Sequence, residues 1–340
     1  MGVVVDFIGF VLRRSRRRIP DLRSITPVAT FDERAFHDAL AQLDGAQASE
    51  VLALRAGFAA QCLEYGHDRR RVAGVAMQAH PDAAWVLCFD ADGYVREAAL
   101  RRLTSPAGST GRFVALALRL NDWVPEVRAE ASHALLRVWP LTSPDVIAST
   151  APYLLRQRFA WRRWGEEALC IDEVLSNSDV AAAVTSLLLQ GRSGGLGRTL
   201  SQALRLPAYD LGLAKLAVEA RLPDVRAMAM KAIFSGKAIW PVGYGWAWVD
   251  KSMGERRRVV LTESRKLSVQ EPLDLLEAGI ADRSALVRKI AADVVIERMN
   301  DLPDIVEIAS RLANDRSAAV RDRADYIRRH RIAPADVIER

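Results

Sequence analysis

The 340-residue chain lacks long apolar runs, although half of its residues are hydrophobic. No segment approaches the roughly 18–20 consecutive apolar residues that a membrane-spanning helix needs. Glycine and proline are not enriched either, which excludes wholesale disorder. The composition predicts a soluble protein with a large buried core, and we expect it in the cytoplasm.

Cysteine is also scarce, and its three positions are far apart in apolar surroundings: Cys62, Cys88 and Cys170. There is no C-x-x-C pair, so the sequence predicts neither a zinc ribbon nor a redox motif. The odd number and the wide spacing favour buried free thiols in a reducing compartment.

Lysine is the third scarcity, since only six of the 48 basic residues are Lys and the others are Arg. Alanine is abundant too, so the preference for Arg indicates genomic base composition rather than phosphate recognition. Of the net charge of +6, residues 1–30 carry +4 and the remaining chain carries +2. A nearly neutral body argues against a general nucleic-acid binder, although a locally basic face stays compatible with it.

The N-terminal leader, residues 1–30, is apolar first and then rich in Arg over residues 13–18. A secretory signal has the opposite order, with its positive charge before the apolar stretch. Three interpretations stay open for the leader. It is a helix that caps the first repeat, a basic amphipathic segment (residues 1–18) that contacts anionic lipid or a partner, or a disordered tail.

The dipeptide Val-Arg recurs five times on a common period of about 31–33 residues, and an Ala follows each Arg by three residues. An Asp precedes four of the five Arg by six residues. The occurrences are Val95-Arg96, Val127-Arg128, Val225-Arg226, Val287-Arg288 and Val320-Arg321. Such self-similarity at a fixed period indicates an array of repeated units.

Each unit is predicted to be a pair of helices, the second of which begins near Val-Arg. The Val, the Ala and an aliphatic residue seven positions after the Arg share one face of that helix. The Asp is placed to accept backbone N–H groups where the second helix starts. The Arg is placed to reach an Asp of its own or of the adjacent turn, which would form a ladder along the array.

Weaker copies of the unit bring the predicted number to about eight or nine. In each of them an Arg leads into an apolar segment; these copies begin at Leu54-Arg55, Arg162, Arg198 and Arg256-Arg257-Arg258. A single helical hairpin cannot bury its apolar face alone, so neighbouring units must cover it.

The Asp-x5-Arg spacing with Val before the Arg resembles the HEAT repeat, particularly its short bacterial version. The resemblance covers about residues 31–340 and is strongest over residues 82–138 and 220–332. It implies an all-α fold, a right-handed α-solenoid of the armadillo type whose second helices line the concave side. It also implies that the repeated Val, Asp, Arg and Ala are structural and carry no chemistry.

The array is predicted to be irregular near residues 155–200 and 236–260, and the candidate binding residues lie in these two parts. One group is Trp161, Arg162, Arg163 and Trp164. The other is Trp240, Tyr244, Trp246 and Trp248, in a predicted loop, together with Arg256, Arg257 and Arg258. Exposed aromatic rings beside Arg suit a protein-binding hot spot, a surface on which nucleobases stack, or a groove for a Pro-rich peptide. The alternative is that the Trp side chains fill gaps in the core.

No catalytic residue, metal site or cofactor is predicted. The stretch Gly191–Thr199 approximates a phosphate loop, but Arg192 stands where the first Gly is required and Arg198 replaces the Lys. We therefore predict an inter-repeat turn there. None of the five His is followed by Glu, so H-E-x-x-H is absent, as are the His-Glu pairs of the HEAT-type di-iron hydroxylases. His37 and His67 are predicted at the surface.

The function predicted from these features is a non-catalytic scaffold or adaptor of the HEAT-repeat type, with another protein as its partner. The alternative is a nucleic-acid-binding solenoid similar to the alkylpurine DNA glycosylases that are built from HEAT-like repeats. No motif of those enzymes can be matched residue by residue. A third contact, with a membrane surface, would involve residues 1–18.

Overall fold

The computed structural model describes residues 29–54, 57–157, 160–163, 165–272 and 274–332. The described chain is mostly helical, as predicted. Almost all of the N-terminal leader lies outside the described residues. The helices in chain order are α1 (Glu33–Gly45), α2 (Val51–Leu54), α3 (Arg69–Ala79), α4 (Ala83–Leu87), α5 (Gly93–Arg102), α6 (Thr110–Arg119), α7 (Pro125–Val138), α8 (Pro144–Gln157), α9 (Glu167–Ser176), α10 (Ser178–Gln190), α11 (Leu196–Ala203), α12 (Leu213–Glu219), α13 (Pro223–Ser235), α14 (Leu275–Ile280), α15 (Ala285–Glu297), α16 (Ile305–Ala313) and α17 (Ala318–Ile327).

Most consecutive helices pack in pairs: α4 with α5, α6 with α7, α12 with α13, α14 with α15, and α16 with α17. Alternate helices also contact one another. The contacts α3–α5–α7–α9 and α11–α13–α15–α17 join the second helices, and α4–α6–α8–α10–α12–α14 joins the first ones. The regular pattern changes around residues 155–200, where α11 packs against α8.

The apolar positions of the repeat are buried, as the periodicity predicts. In α7 the three positions are Val127, Ala131 and Leu135, and all of them are inaccessible to solvent. The corresponding residues of the α5, α13 and α15 units are buried as well. In the α17 unit the Val and Ala positions are buried, but Arg328 occupies the third position and is exposed. The small Ala allows a neighbouring helix to approach closely, and one contiguous core extends through most of the described chain.

Three of the five repeated arginines, together with Arg69, join successive units through an arginine ladder. The Nη1 group of Arg96 donates to the carbonyl of Asp90, six residues earlier, at 2.8 Å. Its Nε and Nη2 groups donate to the Asp122 carboxylate of the next unit at 3.0 and 2.7 Å. The same arrangement joins Arg69 to Asp90, Arg226 to Asp282 and Arg288 to Asp315.

The ladder aspartates also fix the turn before four of the second helices, α5, α7, α15 and α17. Asp122 accepts the N–H of Val124 at 3.0 Å, and Asp282 accepts that of Ser284 at 2.7 Å. The predicted role of the Asp at these helix starts is confirmed. The sequence leaves open whether the Arg pairs with an Asp of its own unit or of the adjacent one. The structure shows that the Arg binds the carboxylate of the next unit, and that the turn of its own unit supplies only a backbone carbonyl.

The charges of the ladder are largely removed from water. The Arg226 side chain is 2% exposed and that of Asp282 is 8% exposed. Burial by itself would raise the pKa of the Asp282 carboxyl. Hydrogen bonds from Arg226 and the Ser284 amide outweigh it and hold that pKa below its usual value. The pKa of Asp315 is lowered too, first of all by its hydrogen bond from Arg288.

The described chain departs from the all-α prediction at two strands, β1 (Lys237–Asp250) and β2 (Glu255–Lys266), which pair antiparallel. The prediction of a loop around residues 239–248 is therefore wrong, and so is the prediction of a weak repeat copy at Arg256. Gly236 ends α13 with a φ of 62°, a conformation that favours glycine, and turns the chain into β1. Trp, Val and Tyr then occupy alternate positions of β1 from residue 240 to residue 248, and β2 contains Val and Thr, which also have high β-propensity.

The other weak copies have mixed outcomes. Helix α9 follows Arg162 as predicted, and Arg198 lies within α11. The copy at Leu54 is wrong, because α2 ends there and residues 59–61 form only a single 3₁₀ turn. The arginine that serves the ladder in this part of the chain is Arg69, which no Val precedes.

Replacing Arg226 by Ala removes one side of a buried ion pair and leaves the Asp282 carboxylate without its main partner. We expect the free energy of unfolding, measured by urea denaturation, to fall by about 3–5 kcal/mol. Arg321→Ala is the matched control, because Arg321 is exposed and donates to the carbonyls of Asp315 and Arg316 at 2.8 and 2.9 Å. Its expected loss is at most about 1 kcal/mol. Equal losses would contradict the structural role of the ladder.

The lowered pKa values of Asp282 and Asp315 predict a loss of stability in acid. A carboxyl whose pKa is lower in the folded state stabilises the fold above its unfolded value, about 3.9, and this contribution disappears as the pH falls through the folded pKa. The free energy of unfolding should therefore fall steeply below about pH 4. The fall should be shallower in Asp315→Asn and unchanged in Asp179→Asn, whose side chain is exposed. If the free energy of unfolding of Asp315→Asn fell with pH as steeply as that of the wild type, the ladder carboxylates would not be the cause of the acid sensitivity.

Candidate interaction site on the β-hairpin

The β-hairpin is fixed to the helices at its base through β1. Ala238 and Trp240 are buried and belong to the main core. Two side chains of α11 bind the strand backbone: Ser201 Oγ donates to the carbonyl of Ile239 at 3.0 Å, and Gln202 Nε2 donates to that of Pro241 at 2.9 Å. These contacts hold the start of β1 against α11 in one register.

Strand β2 is fixed by Arg265. Its guanidinium donates to the carbonyls of Leu204 and Leu206 at 2.9 and 3.2 Å, where α11 has just ended. It also pairs with the Asp210 carboxylate, with Nη1 and Oδ2 2.9 Å apart. The same carboxylate accepts the N–H of Ser268 at 3.0 Å. Both strands therefore leave the helices from anchored positions.

The outer half of the hairpin is exposed and carries aromatic and basic side chains on one face. The register places Trp246 opposite Arg258 and Trp248 opposite Arg256. Because side chains alternate along a strand, Tyr244 shares this face, whereas Arg257 points to the other. Trp246 is 69% exposed and Tyr244 is 64% exposed. We call this set the aromatic–arginine face: Tyr244, Trp246, Trp248, Arg256 and Arg258.

Two of the arginines lie over aromatic rings of the same face. The Arg256 guanidinium carbon is 3.8 Å from the centre of the Trp248 ring, and that of Arg258 is 4.0 Å from the Tyr244 ring. Such cation–π contacts hold the guanidinium groups in place while their N–H groups remain free to bind acceptors. The face thus presents fixed positive charges between apolar rings.

A basic cleft continues this face toward the helices. It is a cavity of about 590 Å³ between α11, α13 and the base of the hairpin, and Gln202 and Tyr244 are among its lining residues. Four cationic residues line it, from α8, α11, α13 and β1: Arg156, Arg198, Lys231 and Lys237. The lining contains no carboxylate, and no ion pair involves these four side chains among the described residues.

Uncompensated positive charge of this kind favours an anionic ligand. The four side chains are exposed at the rim of the cleft, and the walls between them are mostly apolar. An anion that enters the cleft gains Coulomb attraction without first breaking an internal ion pair. The sequence does not indicate these four residues as a group, because they come from four separate elements. Only Arg198 lies in a stretch with a recognisable pattern, the glycine-rich residues 191–199.

The described residues of the predicted cluster around Trp161 do not form a comparable exposed aromatic surface. Trp161 is buried and its ring packs edge-on against Tyr153, with 6.4 Å between the ring centres. Arg162 and Arg163 are exposed, and the backbone N–H of Arg163 donates to Asn121. Trp164 lies outside the described residues. In the second predicted group, Trp240 is buried in the core. The other residues of this group lie on the outer half of the hairpin.

The glycine-rich residues 191–195 form a turn between α10 and α11, as predicted, and residues 196–199 already belong to α11. The N–H of Gly197 at the start of α11 donates to the Asp224 carboxylate at 2.9 Å, and a Cβ at this position would lie 2.7 Å from the Asp224 carbonyl oxygen. A phosphate would therefore meet a negative charge. Residues 191–195 also match G-x-S-x-G, but a nucleophile elbow joins a strand to a helix, and this turn joins two helices.

The cysteines show no sign of activation. Cys62 and Cys88 are buried and Cys170 is half-buried, and all three are free thiols. Burial raises the pKa of Cys62 to about 11 and that of Cys88 to about 12. Because the thiolate is the nucleophile, these two buried thiols are unreactive at neutral pH.

Comparison with protein-family models finds no match, and comparison with curated proteins finds none either. Within the described residues, every helix is too short or too polar to cross a membrane. Because neither comparison supplies a relative, the chemistry of the candidate site is inferred from its own side chains.

The two kinds of tryptophan predict opposite mutational effects. Trp240→Ala leaves a cavity at the base of the hairpin and should lower the free energy of unfolding by about 3–5 kcal/mol. Trp246→Ala removes an exposed ring and should change it by no more than about 0.5 kcal/mol. Urea denaturation of both variants measures the difference, and a large loss for Trp246→Ala would show that the arm is packed against other parts of the protein.

Proposed function

We propose that this protein is a non-catalytic scaffold of the HEAT-repeat type, a right-handed α-solenoid of about eight or nine helical pairs. In this proposal the hairpin and the basic cleft together bind an acidic segment of another protein. The two rows of helix contacts and the arginine ladder support the solenoid, because each ladder arginine joins one unit to the next.

The observation that carries the binding proposal is the unpaired charge of the basic cleft. Arg156, Arg198, Lys231 and Lys237 face a cavity without a carboxylate, whereas the ladder arginines are paired with carboxylates. Carboxylates of a partner would supply the missing charges. Complementary charge of this kind raises the association rate and fixes the orientation of the partner.

The aromatic–arginine face would supply the apolar part of the same interface. Trp, Tyr and Arg are the residue types that most often dominate binding energy. A two-stranded hairpin with both faces largely exposed has little stability by itself, so a partner that covers Trp246 and Tyr244 would also stabilise the arm. The anchored base limits the conformational entropy that binding costs.

Single-stranded nucleic acid is the second candidate, and the exposure of Trp246 is what favours it. Nucleobases stack on exposed aromatic rings, and a basic groove follows the phosphate backbone. Against this candidate, Arg256 and Arg258 already cover one face of the Trp248 and Tyr244 rings. An acidic protein segment uses the guanidinium groups where they lie, without displacing them.

Fluorescence anisotropy with two labelled probes tests both candidates, an acidic peptide rich in Glu and Leu and a single-stranded DNA of equal charge. We expect the peptide to bind more tightly than the DNA. The double variant Arg198→Glu/Lys231→Glu should weaken peptide binding by about 10-fold or more.

The matched control is Arg102→Glu/Arg316→Glu, which changes the net charge equally at exposed positions outside the cleft. It should leave peptide affinity within about 2-fold. If both double variants weakened peptide binding equally, the loss would come from the change in net charge rather than from the cleft. Tighter, strongly salt-dependent DNA binding would favour the second candidate, and binding of neither probe would overturn the assignment of the site.

A further inference from the structure

Two histidines and a glutamate meet near the start of the described chain, far from the hairpin in sequence. Glu33 and His37 lie one helical turn apart on α1, and His80 follows the last residue of α3. Glu33 Oε1 is 3.7 Å from His37 Nε2 and 3.6 Å from His80 Nε2. All three donor atoms lie within 4.8 Å of one another.

Buried and half-buried rings limit the orientations of both imidazoles. Phe36 is buried, and its ring centre is 4.8 Å from that of His37 and 5.7 Å from that of His80. Phe31 also stacks against His80, with 6.1 Å between ring centres, and its own ring centre lies 5.7 Å from that of Phe36. The imidazole planes stand at 84° to each other. The histidines are thus positioned side by side, while Glu33 is exposed and free to adjust.

We propose that Glu33, His37 and His80 bind a divalent transition-metal ion, for which Zn²⁺ is the natural probe. Two imidazole nitrogens and one carboxylate oxygen are a donor set that Zn²⁺ accepts, with bond lengths near 2.0–2.2 Å. The donor atoms approach one another by small side-chain rotations at the surface. The remaining coordination positions are filled by water or by a group from a ligand.

The ion would join α1 to the end of α3. Glu33 and His37 lie in the first helix of the described chain, and His80 lies where the chain turns from α3 into α4. A metal bridge between them would stabilise this end of the protein in the way a bound ligand does, by an amount that grows with the logarithm of the affinity. It is independent of the proposed binding of an acidic partner.

Isothermal titration of the metal-free protein with ZnCl₂ is the direct test, and visible absorption with Co²⁺ reports on the ligand geometry. We expect one ion per chain and a rise in the unfolding temperature on adding Zn²⁺. His37→Ala and His80→Gln should each weaken Zn²⁺ binding by about 10-fold or more.

His133→Ala is the matched control, because His133 also lies near a glutamate, with Nδ1 3.9 Å from Glu130, and no third ligand joins them among the described residues. This variant should bind Zn²⁺ as the wild type does. Circular dichroism checks that each variant is folded. Saturable binding that survives both His37→Ala and His80→Gln, or no stoichiometric binding to the wild type, would overturn the proposal.

Discussion

The guanidinium group of each ladder arginine lies between two helical pairs, and the register of the helix rows depends on it. Arg96 satisfies a carbonyl of its own turn and a carboxylate of the next unit at the same time. Lysine could not replace it, because only the planar guanidinium offers parallel donors to a carboxylate while another N–H reaches the backbone. In a nearly dry environment, each partner would be costly to bury without the other.

The ladder also explains how the protein accommodates a β-hairpin between two helical pairs. Arg226 and Asp282 are separated by 56 residues, yet they form the same bidentate pair as their counterparts. The helices on either side therefore keep their packing, and the hairpin leaves from their surface. Trp240 and Arg265 fix its base, which gives the outer rings a defined position relative to the helices.

The arginines of this protein have two distinct roles that its net charge conceals. Those of the ladder are neutralised by carboxylates and contribute to folding. Arg156 and Arg198, together with two lysines, face a cleft without acidic residues. A sequence that is nearly neutral over most of its length can thus carry a strongly basic site, because pairing is decided by position rather than by composition.

The sequence by itself determined the helical pairs, the buried Val and Ala positions and the ladder residues other than Arg69, because a repeat of fixed period places the same residue types on the same helix face. The alternation of aromatic residues at Tyr244, Trp246 and Trp248 is also typical of a strand. The prediction of a loop there rests on the helical repeats on either side. Only the tertiary structure decided that Trp240 is buried while Trp246 is exposed, that Arg198 and Lys231 share a cleft, and that His37 meets His80. Those relations join residues far apart in the chain, and they depend on how the helices pack rather than on any local pattern.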